Sequence, residues 1–347
     1  MNKLCIIYCP NHRPFTSVRK RWEKIEALLK KHHVEYDMVQ SEDQQSVERL
    51  VTMMISNGYE DIIIAGGDSA LNDTVNCLMA VEKSKREQIN IGVIPNGVMN
   101  DFARFWGFTY QNTEESVKAI AQHRIRKVDV GCIRYTNKLQ EKKQRYFLNS
   151  VNIGLLAGIQ KTRMQMRRKF WSRKLSFALS LVMMLFEKVF YRMTYTIDYV
   201  TESHNIVTMC VGNAWGYGQT PNAVPYNGLL DITMVRHSAL HHMVEALYLF
   251  FRGKILNHKR IRPYRAKAIE IETPKNCPIS IDGHPAESPV GKYTIDVKQE
   301  EINFIMERIR YRYVAMPLRY ALRATIRRRN DTAQAPTIRE QSSLRKL

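Results

Sequence analysis

The stretch Ile62-Ile63-Ile64-Ala65-Gly66-Gly67-Asp68-Ser69-Ala70-Leu71-Asn72-Asp73-Thr74-Val75-Asn76 decides how the rest of the 347-residue chain is read. Three consecutive isoleucines and an alanine predict a short strand covered on both faces, as in a parallel sheet. Two glycines then let the chain turn hard and leave room where a Cβ would block an approaching group. Asp68 stands at the carboxyl end of that strand, the edge where open α/β sheets gather ligands. Val75, Leu78 and Met79 follow at helical spacing, so the N–H groups of a helix start lie beside the turn, which suits phosphate. The bland alternative is a structural turn that Asp68 merely caps.

Working outward, strands are predicted at Lys3 to Tyr8, Tyr36 to Val39 and Ile89 to Ile94, and helices at Val18 to Lys31 and Ser46 to Asn57. Alternating strands and helices imply a doubly wound parallel α/β sheet. A second loop, Pro95-Asn96-Gly97-Val98-Met99-Asn100-Asp101-Phe102-Ala103-Arg104, also follows a buried strand and is expected on the same sheet edge as Asp68. From Lys127-Val128-Asp129-Val130-Gly131 onward the texture changes to strands: Tyr146 to Ile153, Thr194 to Tyr199, Ile206 to Asn213, Leu229 to Val235, Ala268 to Glu272, Ile279 to Ile281 and Tyr293 to Val297. Asn227-Gly228 and Asp282-Gly283 are turn signals among them. Two inserted helices are expected, at roughly 174–192 and 238–252. An arginine-rich tail starts at Met306 and becomes polar, with the composition of disorder, beyond Asn330.

Lysine and arginine number 53 against 33 aspartates and glutamates, a net charge of +20 that favours anionic partners. The six cysteines form no CxxC pair and no zinc spacing, which reads as reduced thiols in the cytoplasm. The histidines, His241 and His242 among them, show no ligand spacing either. Leu4 to Tyr8 is too short for a secretory signal, and the longest apolar run, Leu175 to Phe186, falls below the ~20 residues of a membrane span.

These motifs, in order, resemble the diacylglycerol kinase catalytic-domain family, which includes bacterial lipid kinases and sphingosine and ceramide kinases. Its GGDGT-x-N-E motif is similar to Gly66-Gly67-Asp68-Ser69-Ala70-Leu71-Asn72-Asp73, and its P-x-G-T-x-N-D-F-A-R motif to Pro95 through Arg104. Its V-D-x-G resembles Val128 to Gly131, and its N-x-x-x-x-G strand resembles Asn149 to Gly154. Its P-x-A…D-G-x-L-D resembles Pro221-Asn222-Ala223 with Asn227 to Asp231, and its D-G-E turn resembles Asp282-Gly283-His284. The resemblance spans roughly residues 1 to 305. It implies an α/β plus β fold, with a doubly wound nucleotide-binding α/β domain over 1–130, a C-terminal β-sandwich over 131–305 and the site in the cleft between them. It implies transfer of the γ-phosphate of ATP, with Mg²⁺, to a lipid hydroxyl. In those terms Asp68, Asp101 and Asp129 hold the metal through water. Gly66, Gly67, Ser69, Asn72, Gly97, Val98, Asn100 and Asp101 border the nucleotide with Asp68, and Asp282 takes the hydroxyl proton with His284 beside it.

The chain departs from the family pattern at Ser69 for glycine, Val98 for threonine, Asp73 and His284 for glutamate, and Asn227 for aspartate. Losing the hydroxyl donor at Val98 costs about 1–3 kcal/mol of binding on its own. A catalytically impaired lipid- or nucleotide-binding pseudokinase is therefore the rival reading. The basic run Lys161 to Lys174, with Phe170 and Trp171, and the arginine-rich tail suggest docking on an anionic membrane surface. A nucleic-acid partner is not expected, since no recognition motif accompanies the charge. Which lipid is phosphorylated, and whether the protein is a homodimer, stay open at this point.

Overall fold

A computed structural model describes residues 3–10, 17–42, 44–97, 99–158, 190–215, 219–237, 240–251, 255–259 and 261–306. Most of the helix expected at roughly 174–192, the basic run before it, Val98 and the tail beyond Met306 lie outside the described residues; the end of that helix is corrected, because Tyr191 and Arg192 already belong to a strand paired with Ile206 and Asn205.

The first half alternates as its hydrophobic pattern requires. Strand β1 (Leu4–Tyr8) leads through α1 (Val18–Lys31) to β2 (Asp37–Gln40), and α2 (Gln44–Ser56) leads to β3 (Asp61–Gly66). Helix α3 (Asp68–Met79) and the single turn α4 (Lys83–Arg86) precede β4 (Asn90–Pro95), followed by α5 (Asp101–Phe105) and α6 (Thr113–Gln122). The four strands pair in parallel in the order β2-β1-β3-β4. Every residue of β3 and β4 is buried, which is why the isoleucine run shows no alternation. Ile25 and Leu29 of α1 and Val117 and Ile120 of α6 pack on Ile6, Ile63 and Ile94. Side chains alternate along a strand, so Ile7, Ile62 and Ile64 project to the other face, where α2 and α3 contact β1 and β3. Full burial of each of these aliphatic side chains stabilises the sheet by roughly 1.5–3 kcal/mol.

The second half is built from β5 (Ile125–Thr136), β6 (Lys142–Phe147), β7 (Ser150–Gly154), β8 (Tyr191–Ile197), β9 (Val200–Gly212) and β10 (Leu230–Arg236). Helix α7 (Leu240–Phe251) then joins β10 to β11 (Ile261–Ala266), and β12 (Ala268–Glu272), β13 (Ile279–Ile281), β14 (His284–Ala286) and β15 (Lys292–Ile305) follow. They run β14-β13-β7-β9-β8-β12-β15, with β10 and β11 branching from β9 and β5 and β6 from β15, and enclose a core that includes Phe147, Ile153, Tyr195, Val211, Ile232 and Ile295. This is the largely antiparallel half that the turn-punctuated pattern implied, and the β-sandwich that the resemblance implied.

Three strands depart from what their composition suggests. The one expected over Tyr146 to Ile153 is two, β6 and β7, broken at Leu148 and Asn149, whose amides turn to the Asp282 carboxylate. The strand expected to reach Tyr199 stops at Ile197, because Asp198 and Tyr199 (φ 47° and 67°) form a two-residue hairpin turn between β8 and β9. Both turn residues are left-handed without any glycine to announce it. The last strand runs on from Val297 to Ile305. It is carried past an irregular register between Lys298 and Ile302, with Glu300 at φ 53°. Its first residues pair antiparallel with β12 and β5, while Asn303 and Phe304 pair in parallel with Asn90 and Ile91 of β4. One strand thus belongs to both halves of the fold.

Candidate functional site

Strands β3 and β4 end level, with Gly66 opposite Pro95, and that register brings the two glycine loops together. Gly67 and Gly97 lie back to back. A Cβ on Gly97 would sit 2.4 Å from the Cα of Gly67, and one on Gly67 would sit 2.9 Å from the Cα of Gly97. Asn96 and Gly97 both donate their amides to the carbonyl of Gly66, at 2.7 and 3.1 Å. Asn100 adopts φ 54° and closes the second loop. Its Oδ1 accepts from the Gly97 amide at 2.8 Å and its Nδ2 donates to the Gly97 carbonyl at 2.9 Å. The Gly97 amide is therefore engaged inside the protein. Glycine stands there because the loops touch. Gly67 caps α3 with no side chain to offer, so the leading turn of α3 at Asp68 and Ser69 has no side-chain cap of its own.

Asp68 ties this edge to the second half. Its Oδ2 accepts from the Asp101 amide at 3.0 Å, and its Oδ1 accepts from the Phe102 amide at 3.1 Å and from Asn149 Nδ2 at 3.4 Å. Burial raises its carboxyl above the usual range against the pull of these hydrogen bonds. Asp101, 7% exposed, follows directly, with Arg104 Nη1 3.7 Å from its Oδ1. Two carboxylates from two loops thus share one corner of the sheet.

Asp282 approaches from the other half. With Gly283 (φ 46° and 85°) it forms the two-residue hairpin between β13 and β14 that Asp-Gly announces. Its Oδ1 accepts from the amides of Asn149 and Ser150 at 2.9 and 2.8 Å; its Oδ2 accepts from the Leu148 amide at 2.8 Å and Asn72 Nδ2 at 2.9 Å. Four donors occupy the roughly four lone-pair positions of a carboxylate. Burial still pushes it up to about 6, with the charge of Asp68 adding to the effect. Asn149 therefore spans the two acids, its side chain on Asp68 and its amide on Asp282.

Asn72, expected beside a nucleotide, is a structural bridge. Besides Asp282 it donates to the Tyr146 carbonyl at 2.9 Å, and its Oδ1 accepts from Arg145 Nη2 at 2.8 Å. The same Arg145 nitrogen lies 2.7 Å from Asp73 Oδ1. His284, half-buried after the hairpin, is pushed down to about 4 by burial and then by the Arg145 charge, and is neutral at pH 7. Asp129, expected to hold the metal through water, joins two loops. It is 1% exposed, and its oxygens accept from the Gly228 amide at 2.7 Å and the Glu300 amide at 3.0 Å, fastening the loop before β10 to the irregularity in β15. Those bonds tie it to two loops, neither of them carrying Asp68 or Asp101. Asn213 braces the same region, donating to the carbonyls of Asp129 and Leu148 at 2.9 and 3.0 Å. Neither Arg145 nor Asn213 carries a local signal of its role, because each acts through a partner distant in sequence.

Replacing Asp282 by asparagine turns some of those acceptor positions into N–H groups facing other donors. The expected cost is about 2–4 kcal/mol of folding stability, read as a lower urea midpoint at unchanged slope. An unchanged midpoint would remove the anchoring role.

A family profile described as "Diacylglycerol kinase catalytic domain" matches residues 6–133, and one described as "YegS C-terminal NAD kinase beta sandwich-like domain" matches residues 149–305. The chain is 26% identical over 304 residues to a Shewanella frigidimarina protein named "Probable lipid kinase YegS-like", covering 85% of this chain and 92% of that one. It is 22% identical over 253 residues to a diacylglycerol kinase of Mycobacterium tuberculosis, covering 72% and 78%. A crystal structure of a diacylglycerol kinase from Bacillus anthracis superposes with a TM-score of 0.63 at 19% identity over 88% of this chain and 97% of that one, a likeness of fold.

Proposed function

Since the chain belongs to the diacylglycerol kinase catalytic-domain family, with its β-sandwich partner domain, we propose that it transfers the γ-phosphate of ATP to the hydroxyl of a lipid. The observation that carries this reading is Asn149, which holds Asp68 with its side chain and Asp282 with its amide, so that acids from both halves are joined through one residue.

The donor set suits magnesium: Asp68 and Asp101 offer hard oxygens from adjacent loops, and the ion takes few carboxylates and keeps waters. Bound there, the ion would neutralise charge on the transferred phosphoryl group. The uncapped start of α3 suits a phosphate. Asp282 is a positioning residue in this scheme, fixing Leu148 to Ser150 and Asn72. His284, neutral and half-buried, takes the proton of the lipid hydroxyl. A weak base suffices where the transition state is loose and there is little covalent chemistry for the protein to do. Labelled ATP incubated with mixed lipid vesicles tests the activity: the label should enter the lipid phase, and none entering would end the proposal.

The raised carboxyls set a pH dependence. An ordinary aspartate stays ionised down to about pH 4, whereas Asp282 begins to protonate near pH 6 and Asp68 is raised as well. Activity should therefore fall as pH drops through about 6, with apparent values belonging to the pair. Stability runs the other way. Between pH 4 and 6 the folded state holds protons that the unfolded chain releases, so this contribution declines as pH rises through that window. A rate profile flat from pH 7 to 5 would contradict the assignment.

A pseudokinase is the second reading, favoured by one observation: at about 4, the His284 ring is a feeble proton acceptor. Calorimetric titration with ATP and Mg²⁺ in parallel with the vesicle assay separates the two. The net charge of +20 supports docking at the anionic cytoplasmic face of a membrane as a peripheral protein, and exposed Val244 and Tyr248 on α7 add apolar surface. Among the described residues no helix is long and apolar enough to cross a membrane.

A further inference from the structure

The geometry points to a binding site for a zinc-class divalent ion on α7, formed by His242, Glu245 and His258, none of them among the partners described for Asp68, Asp101 or Asp282. The sequence showed no ligand spacing among its histidines, because one of the two lies across the turn that follows the helix. His242 and Glu245 are three residues apart and share a face of α7. His258 stands just past the short 3-10 turn Ile255–Asn257, before β11. A small apolar core of Ala246, Ile255, Leu256 and Ile261 fixes helix and turn against each other.

The donor atoms converge. His242 Nδ1 lies 3.8 Å and His258 Nε2 3.6 Å from Glu245 Oε2, and the three ligand atoms all lie within 4.8 Å of one another. In a tetrahedral zinc site with bonds near 2.0–2.1 Å, ligand atoms stand roughly 3.3 Å apart. The pairs to Glu245 reach that spacing by closing a few tenths of an ångström, and the two imidazole nitrogens, within 4.8 Å of each other, by at most about 1.5 Å, which a turn of the partly exposed His242 ring supplies. Two imidazoles and one carboxylate select zinc and its neighbours over magnesium, which is held through oxygen. His258 is buried, while the Glu245 side chain is 56% exposed, so a fourth position opens to water. An ion there would staple α7 to the entry of β11, and the site is independent of the kinase reading.

The test uses the full chain, treated with a chelator and titrated with Zn²⁺ in competition with a chromophoric chelator, then with Co²⁺ to read the visible absorption of a tetrahedral site. The expected result is one equivalent bound and a higher melting temperature with zinc. His242→Ala and Glu245→Gln should each weaken binding by more than the roughly 10–100-fold that outer-sphere partners cost. Both positions are partly exposed, so these variants keep the test sound if His258→Ala fails to fold. No stoichiometric binding, or binding of native strength in either variant, overturns the site.

Discussion

Alanine at position 68 is expected to cut phosphoryl transfer by roughly 10²- to 10³-fold while leaving the protein folded. The Asp68 carboxylate makes two separable contributions. As a cap on the amides of Asp101 and Phe102 it contributes on the order of 1 kcal/mol of stability. In the proposed role, as the charge facing the transferred group, its loss weighs far more, since removing one preorganised electrostatic contact from an active site costs about 2.7–4 kcal/mol of barrier. The melting temperature should therefore fall by a few degrees, whereas the rate falls by orders of magnitude. A variant retaining more than a tenth of native activity would show that the metal and phosphate are held elsewhere.

The second large effect is structural in origin. Gly97→Ala places a Cβ 2.4 Å from the Gly67 Cα and 2.6 Å from Asn100 Oδ1. Neither neighbour is the loose end of a flexible side chain: one is backbone, and the other is fixed by its two bonds to Gly97 itself. The loops must part, and with them the Asp68–Asp101 corner. The expected loss is about 3 kcal/mol, typical of a severe overpacking, or roughly 5–10 °C of melting temperature. Nucleotide binding should be lost along with it. Gly67→Ala, at 2.9 Å, should be milder by calorimetry and by titration. A Gly97→Ala protein that melts and binds like the native one would mean the loops have slack that the contact distances deny.

Much of this was legible locally. The isoleucine run, the glycine pair and the Asp-Gly dipeptide each act through neighbours in the chain, so β3, its turn and the β13–β14 hairpin follow from short windows. The purpose of the glycines was not legible, because the atoms that exclude a Cβ belong to a loop 30 residues away. The same holds for Asp129 and Asp282: their identity is plain in the sequence, but the amides that fill their acceptor positions come from β15, the loop before β10 and the start of β7. The bridging bonds of Asn72 to Tyr146, Asp282 and Arg145 are hidden from short windows for the same reason. Asp198-Tyr199 escaped because a left-handed pair without glycine is uncommon, and the length of β15 escaped because an irregularity breaks its alternation.

The shared strand has a consequence for how the protein is made. The sheet of the first half receives its edge from Asn303 and Phe304, so the ribosome has delivered some three hundred residues before that sheet can be completed. Until then the parallel strands present an open flank to whatever else is in the cell. A nascent chain of this protein has reason to wait, shielded, for its own last strand.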